Sequence, residues 1–214
     1  MQIKKYLAVL AVLTVTAVGT FAIAHNWSKS RRGPEPAGVC ALGNGPAFTV
    51  TQEGRTNGKA DRTVIRIFKT TGEWKETTTF LATDKQTVMY GLQNGVIRVN
   101  EEKKQSDYIG RWAPPLPEEK IRADSAFVDE STLLGYKVLR LHMAAQDGSN
   151  IDLYKAPALH GMILKVEEKH DDGSSFVLEP VKIDMGNVQD FAPPNYPVSS
   201  DVYNRNHQAK APQN

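Results

Sequence analysis

Turn signals punctuate this chain too often for anything but short strands. Between Phe48 and Pro194 it carries Asn57-Gly58, Thr71-Gly72, Asp84-Lys85, Asn94-Gly95, Asp147-Gly148 and Asp171-Asp172-Gly173-Ser174. Glycine has no Cβ and tolerates positive φ, whereas Asn and Asp bond back to their own backbone. The runs between these turns alternate. Phe48 and Val50 face away from Thr49 and Thr51, and Met162, Leu164 and Val166 face away from Lys165 and Glu167. A period of two marks a strand with one face on a core and the other toward water. Val64, Arg66 and Phe68 oppose Ile65 and Ile67, so this run reads as a more deeply buried strand. Glu73 to Leu81 is rich in threonine and aromatics, which suits a pleated, half-buried surface. Thr87–Leu92 and Val96–Val99 flank Gln93-Asn94-Gly95. Asn-Gly between apolar runs predicts a type I′ hairpin, whose two central residues both need positive φ. Strands joined this way form an antiparallel meander.

Between the strand-rich halves the pattern changes. Asn100 to Asp107 reads as a charged loop, and Arg111 to Pro117, with its prolines, cannot be a central strand or a helix interior. Glu118 to Leu134 is the helix candidate, starting behind Pro117 with acidic residues in its first turn. Its stripe of Ile121, Ser125 and Val128 is weak. It is expected as a short helix on the concave side of the sheet.

The ends of the chain are of another kind. Lys4 and Lys5 precede the apolar run Tyr6–Val18, and Ala22-Ile23-Ala24 makes an A-x-A site. Residues 1–24 therefore read as an export signal cleaved before His25. The alternative is an uncleaved anchor helix, since Tyr6 to Ala24 is long enough to span a bilayer. Residues 25–45 read as a disordered linker of Ser, Lys, Arg, Gly and Pro, and residues 195–214 as a disordered polar tail. The domain itself is placed at 46–194. Cys40 stands in the linker, where Val39 and the distant apolar run do not make a lipidation site, so a free thiol or an intermolecular disulfide is expected. Asn26-Trp27-Ser28 matches a glycosylation acceptor, a tripeptide common by chance.

Composition narrows the function. With 214 residues, 40% hydrophobic and 23% charged, the chain suffices for one core with tails. A net charge of +2 carries no signature of a nucleic-acid partner. A single cysteine excludes an internal disulfide and a multi-cysteine zinc site. His142, His160 and His170 pair with no second ligand at metal spacing, and His170-Asp171-Asp172 reads as a solvated turn. Glu101/Glu102, Glu118/Glu119 and Glu167/Glu168 are sequence neighbours, which on a strand face opposite ways and make poor acid–base partners. There is no G-x-S-x-G elbow and no glycine-rich phosphate loop. No enzyme, metal or cofactor is expected. Trp74, Phe80, Tyr90 and Phe176 line a ligand or, on the plainer reading, fill a β core.

The stretch Leu134–Pro194 carries a family resemblance. A strand headed by Gly135-Tyr136 is followed by one ending in Leu153-Tyr154-Lys155. A hairpin around Asp171-Asp172-Gly173-Ser174 comes next, then Ile183-Asp184-Met185-Gly186 and the closing Phe191–Pro194. This order, over roughly Ala47 to Pro194, resembles the LolA/LolB-like superfamily of bacterial envelope proteins and the N-terminal domain of RseB-type sensors. The resemblance implies a mainly β fold: a strongly curved antiparallel sheet, or half-barrel, with one or two short helices behind the N-terminal signal or anchor helix. It implies an exported, periplasmic or membrane-anchored, non-catalytic binding module that holds a lipid or lipoprotein acyl chain. Trp74, Phe80, Met89, Leu139, Leu141, Met162, Leu164 and Val166 are the groove candidates. A buried methylene is worth about 0.8 kcal/mol, so one acyl chain supplies a useful affinity without chemistry. The alternative is an envelope interaction domain in which the same residues form a filled core and the partner is another protein. A cavity lined by these residues separates the two readings, as does the cost of Leu164→Ala, which is about 2–5 kcal/mol only in a packed core.

Export is the first testable expectation. N-terminal sequencing of the mature protein should begin at His25, from a fraction outside the cytoplasm. A membrane-extracted product beginning at Met1 would establish the anchor instead, and a soluble cytosolic product would remove both readings.

Overall fold

The computed structural model describes residues 45–111, 116–145, 148–186 and 188–199. The expected signal segment, nearly all of the linker with Cys40, and residues 200–214 lie outside them. Six strands come first: β1 (Phe48–Thr56), β2 (Lys59–Phe68), β3 (Trp74–Phe80), β4 (Gln86–Leu92), β5 (Gly95–Asn100) and β6 (Gln105–Gly110). The helix α1 (Glu118–Arg122) follows. Then come β7 (Phe127–Leu133), β8 (Tyr136–Ala144), β9 (Asn150–Ala156), β10 (Met162–Lys169), β11 (Ser175–Met185) and the short β12 (Val198–Ser199). All lie in one sheet of order β12-β6-β5-β4-β3-β2-β1-β11-β10-β9-β8-β7. Each half is a meander, and the halves join where β1 pairs with β11 over Phe48↔Met185 to Thr56↔Phe176. Every pairing is antiparallel except β12 on β6. The expected mainly β fold with a curved antiparallel sheet is the one observed. Among the described residues no helix is long and apolar enough to cross a membrane.

The curvature is visible in side chains that reach across the sheet. Gln52 on β1 donates through Nε2 to the carbonyl of Leu164 on β10 at 2.7 Å, although β11 lies between those strands. Arg66 on β2 reaches the Ile163 carbonyl at 3.4 Å. In a flat sheet, strands two and three places apart are about 10 and 14 Å away, beyond such side chains. The face bearing Gln52 and Arg66 must therefore be concave. The core lies on it. Phe48, Val50, Phe68, Val138, Ala156, Leu159, Met162 and Leu164 cluster there, with Trp74 and Ile183 packed against them. Phe48 and Phe68 stack at 4.7 Å, and the His160 ring continues the stack. His160 Nε2 also lies 2.8 Å from the Pro46 carbonyl, tying the start of the domain to the core.

Local expectations fared unevenly. Asn57 and Gly58 have φ of 51° and 77°, the type I′ pattern, and Thr56 pairs with Lys59 across them. The hairpin at Asn94-Gly95 exists one residue earlier than its dipeptide suggests. Leu92 pairs with Gly95, so the two loop residues are Gln93 and Asn94, and Asn94 has no positive φ. Gly95 belongs to β5 at φ 145°. The charged loop expected at Asn100–Asp107 ends early, because β6 begins at Gln105. The helix expected over Glu118–Leu134 stops after five residues. Asp124 Oδ1 accepts from the Ala126 amide at 2.8 Å, a local turn that competes with the helix. The rest becomes β7, folded back on β8 through Leu134 (φ 49°) and Gly135 (φ 83°). Leucine at positive φ is a costly turn residue, so composition hid this hairpin. The polar tail expected from residue 195 is likewise engaged at its start, since Val198 and Ser199 pair with Ser106 and Asp107.

Gly95 gives a test of this corrected register. A Cβ at this position would strike the Tyr108 ring and come within 3.0 Å of the Gly110 carbonyl. Its φ belongs to a region essentially restricted to glycine, at about 1–3 kcal/mol for other residues. Gly95→Val should destabilise the fold by at least that amount, read as a lower denaturation midpoint, whereas Asn94→Ala should change the midpoint little. Equal and small effects at both positions would restore the type I′ register.

Candidate functional site on the inner face

Strand register orders the inner face into rows. One runs Phe48–Phe68–Trp74–Gly91–Val96. The next runs Val50–Arg66–Glu76–Met89–Arg98–Asp107. Beside them lie Gln52–Val64–Thr78–Thr87 and Gly54–Arg62–Phe80. Near β1 this face is filled. Phe48, Val50 and Gln52 are fully buried, and Glu76 and Thr78 nearly so. Toward β3 and β4 it opens, and Trp74, Phe80 and Met89 are half-buried.

A polar group sits between the filled and open parts. Arg66 Nε and Glu76 Oε2 form an ion pair, with little of either side chain reaching water. Thr78 donates to the other Glu76 oxygen at 3.3 Å. Gln52 offers its amide to β10, which leaves Oε1 buried with no hydrogen-bond partner. The β10 carbonyls are available because the chain bulges between Ile163 and Lys165, and an extra residue leaves the ladder locally unpaired. The sequence held a signal for this group. Arg66 shares its side of β2 with Val64 and Phe68, a charge on an otherwise apolar face.

The edges of the open part are held by aromatics. The Trp74 indole lies so close over β4 that a Cβ on Gly91 would collide with it. At the opposite end the Arg62 guanidinium carbon stands 4.7 Å from the Phe176 ring centre and 5.5 Å from that of Phe80. It crosses above Gly54, where a Cβ would meet the arginine side chain. Asp61 receives Arg62 Nε and Nη2 at 2.8 Å each, and Thr56 Oγ1 at 2.5 Å. Burial works to raise the Asp61 carboxyl, but the bonds from Arg62 and Thr56 and the guanidinium charge outweigh it and hold the group below its usual value.

The groove candidates thus divide. Met162 and Leu164 come together in the core cluster, and Trp74, partly buried, packs against it. Leu141 and Val166 both stand opposite Leu153, and Leu139 is wholly buried on β8. Leu139, Leu141, Met162, Leu164 and Val166 are at most 8% exposed, so a ligand reaching them must displace core. Trp74, Phe80 and Met89 share the open face. Tyr90, paired with Lys75, faces the other way, so the four aromatics named from sequence do not form one set. A shallow, open depression of about 730 Å³ lies elsewhere, lined by Pro46, Ala47, Met185, Gly186, Val188 and Gln189. Among the described residues no group of three or more His, Cys, Asp or Glu is placed to hold a metal ion.

No protein-family model matches the chain, and no curated protein matches it. Solved structures do. An uncharacterised conserved protein from Thermus thermophilus is 12% identical, with a TM-score of 0.47 over 72% of this chain and 90% of that one. In the Pseudomonas aeruginosa MucA/MucB complex, a matching chain is 13% identical, with a TM-score of 0.41 over 72% of this chain and 63% of that one, so this chain spans less than two thirds of its length. A LolA superfamily protein from Nitrosomonas europaea is 11% identical, with a TM-score of 0.37 over 70% and 91%. At such identities the likeness concerns the fold alone.

The buried ion pair gives a prediction that the fold's energetics must meet. Arg66→Met should destabilise by about 3 kcal/mol or more, because it strands the Glu76 carboxylate in the interior. Arg66→Met combined with Glu76→Leu should recover much of that loss. Denaturant melts of both singles and the double variant measure the coupling. Additive losses would show that the two charges are solvated and independent.

Proposed function

We propose that this protein is an exported, non-catalytic binding module that lays an apolar chain along the open inner face of β3 and β4. One observation carries the reading: Trp74, Met89 and Phe80 are large, apolar and half-buried on one face, where the filled core stops. A seven-residue strand extends about 20 Å, a length comparable with a long acyl chain. Trp74 and Phe80 mark its two ends, and Met89 stands between them beside Glu76. A methionine adapts its shape to a flexible ligand. The charges along this row are paired, Arg66 with Glu76 and Arg98 with Asp107, so they present little net field to an apolar guest. Export is part of the proposal and rests on the n-region, apolar run and A-x-A site of residues 1–24.

A second reading has its own observation. Leu139, Leu141 and Leu164 are at most 2% exposed, as a filled core requires, and a domain built that way acts through its surface on another protein. Binding of a fluorescent fatty-acid probe, read beside chemical denaturation, decides between the two. If the open face binds, Met89→Arg should weaken the probe by about tenfold or more, the equivalent of about 1.4 kcal/mol. The melt should fall by only about 1 kcal/mol, the usual size of a point change, because Met89 is half-buried and not part of the filled core. Leu164→Ala should cost about 2–5 kcal/mol in stability and spare probe binding, and Leu164→Trp should overpack by about 1–3 kcal/mol. A parent protein that binds no probe leaves the interaction domain standing.

A further inference from the structure

The open inner face has two unlike ends. At the β2–β3 turn end it is closed. The row Phe48–Phe68–Trp74–Gly91–Val96 crosses five strands there without a charged side chain. Phe48, Phe68 and Val96 are at most 7% exposed. The Trp74 indole reaches from β3 onto β4, where only the missing Cβ of Gly91 makes room for it, and it is packed against the core cluster. At the β3–β4 turn end the face runs out to water. Phe80 lies against Arg62, its cross-strand partner on β2. On the other side β4 begins at Gln86, opposite Thr79, so no residue of β4 stands opposite Phe80. Thr78 and Thr87 pair just before this exit, and residues 81–86 beyond it are all exposed. Asp61 receives two bonds from Arg62, so this end offers no bare charge to select a head group.

We propose that Trp74 sets the length of the guest: an unbranched chain lies methyl end first against the indole and carries its polar end out past Phe80. This rests on the binding reading above and narrows it to a single-chain amphiphile held in one direction. The direction follows from desolvation. A methyl group loses nothing against Phe68, Val96 and the indole, whereas a carboxylate or ester there would be buried without a partner. At the other end the polar group stays in water beside the threonines. From Trp74 to Phe80 the strand rises about 20 Å, the extended length of about 16 carbons. Methylenes beyond that length hang in solvent and add no burial. The open end sets no limit on the size of the head. The chemistry recognised is therefore the unbranched chain, whether free or attached to a bulky head.

The test competes saturated fatty acids of increasing length against a fluorescent fatty-acid probe, below their micellar concentrations. It uses the full chain and Trp74→Leu, each with a denaturant melt. In the parent, affinity should rise about two- to fourfold per methylene and level off near about 16 carbons. In Trp74→Leu it should level off about four carbons later, because the chain gains one row of the face, about 7 Å. A lysophospholipid with the same chain should compete within a few-fold of the free acid. The corresponding α,ω-dicarboxylic acid should bind at least about tenfold more weakly, since its second carboxylate would face the indole. Equal length profiles in parent and variant, or a dicarboxylic acid that binds as well as the monoacid, overturn the proposal. Trp74→Phe keeps a ring in the core and replaces the leucine variant if that one melts too early to hold the probe; its plateau should also move to longer chains. A parent that binds no probe removes the binding reading and this proposal together. A parent that binds, with a profile unshifted in both variants, removes this proposal alone.

Discussion

Two side chains join distant strands of this sheet across its concave face. From neighbouring strands, Gln52 and Arg66 reach the same short piece of β10 backbone, where a bulge leaves carbonyls free to accept. An antiparallel sheet of this width has no intrinsic need to curl this tightly. Twist alone rotates strands gradually, whereas a hydrogen bond between β1 and β10 demands that the intervening β11 be sharply bent. The curl then lets Phe48 and Phe68 meet the Leu159–Leu164 segment, and that contact is the core. Carbonyls that accept side chains rather than a ladder partner also escape the cost of being buried unpaired.

The same contact explains why the inner face is filled on one side and open on the other. Close to β1 the two halves of the sheet touch and leave no space. Three strands further, at β4, nothing comparable reaches back, and Trp74 and Met89 remain half in water. The glycines support this division. Gly54 lets Arg62 cross from β2 toward Phe176, and Gly91 lets the Trp74 ring lie flat on β4. The outer face is treated differently again. Tyr90 is covered by Phe191, which arrives from the far end of the chain, so a residue that faces outward is nearly buried.

Much of the strand pattern was legible, because alternation and turn chemistry are local. Asn57-Gly58 makes a two-residue turn between β1 and β2, since both of its residues take the positive φ that the dipeptide favours. Asn94-Gly95 failed by one residue, because the Gly was needed for its lack of a Cβ beside Tyr108 rather than for the turn itself. The Glu118–Leu134 helix failed after its first turns. Helix propensity there is weak, and pairing with β8 satisfies the backbone of Phe127–Leu133 instead. Among the groove candidates, apolar character alone could not separate Leu164, with no exposure at all, from Met89. Both sit on inward-facing positions of strands, and the difference is distance from the fold line.

The sequence by itself determined the class of the structure and the identity of most strands, with β6, β7 and β12 excepted, since a period of two and a turn residue with suitable φ depend only on near neighbours. It also determined that residues 1–24 differ in kind from the domain behind them. The tertiary structure alone decided that the first strand lies beside the eleventh, that β10 bulges where Gln52 and Arg66 need an acceptor, and that the closing segment pairs with β6. These contacts join residues more than ninety positions apart. They are selected by the combined burial of both halves against the entropy of closing long loops, a balance that no short window of residues contains.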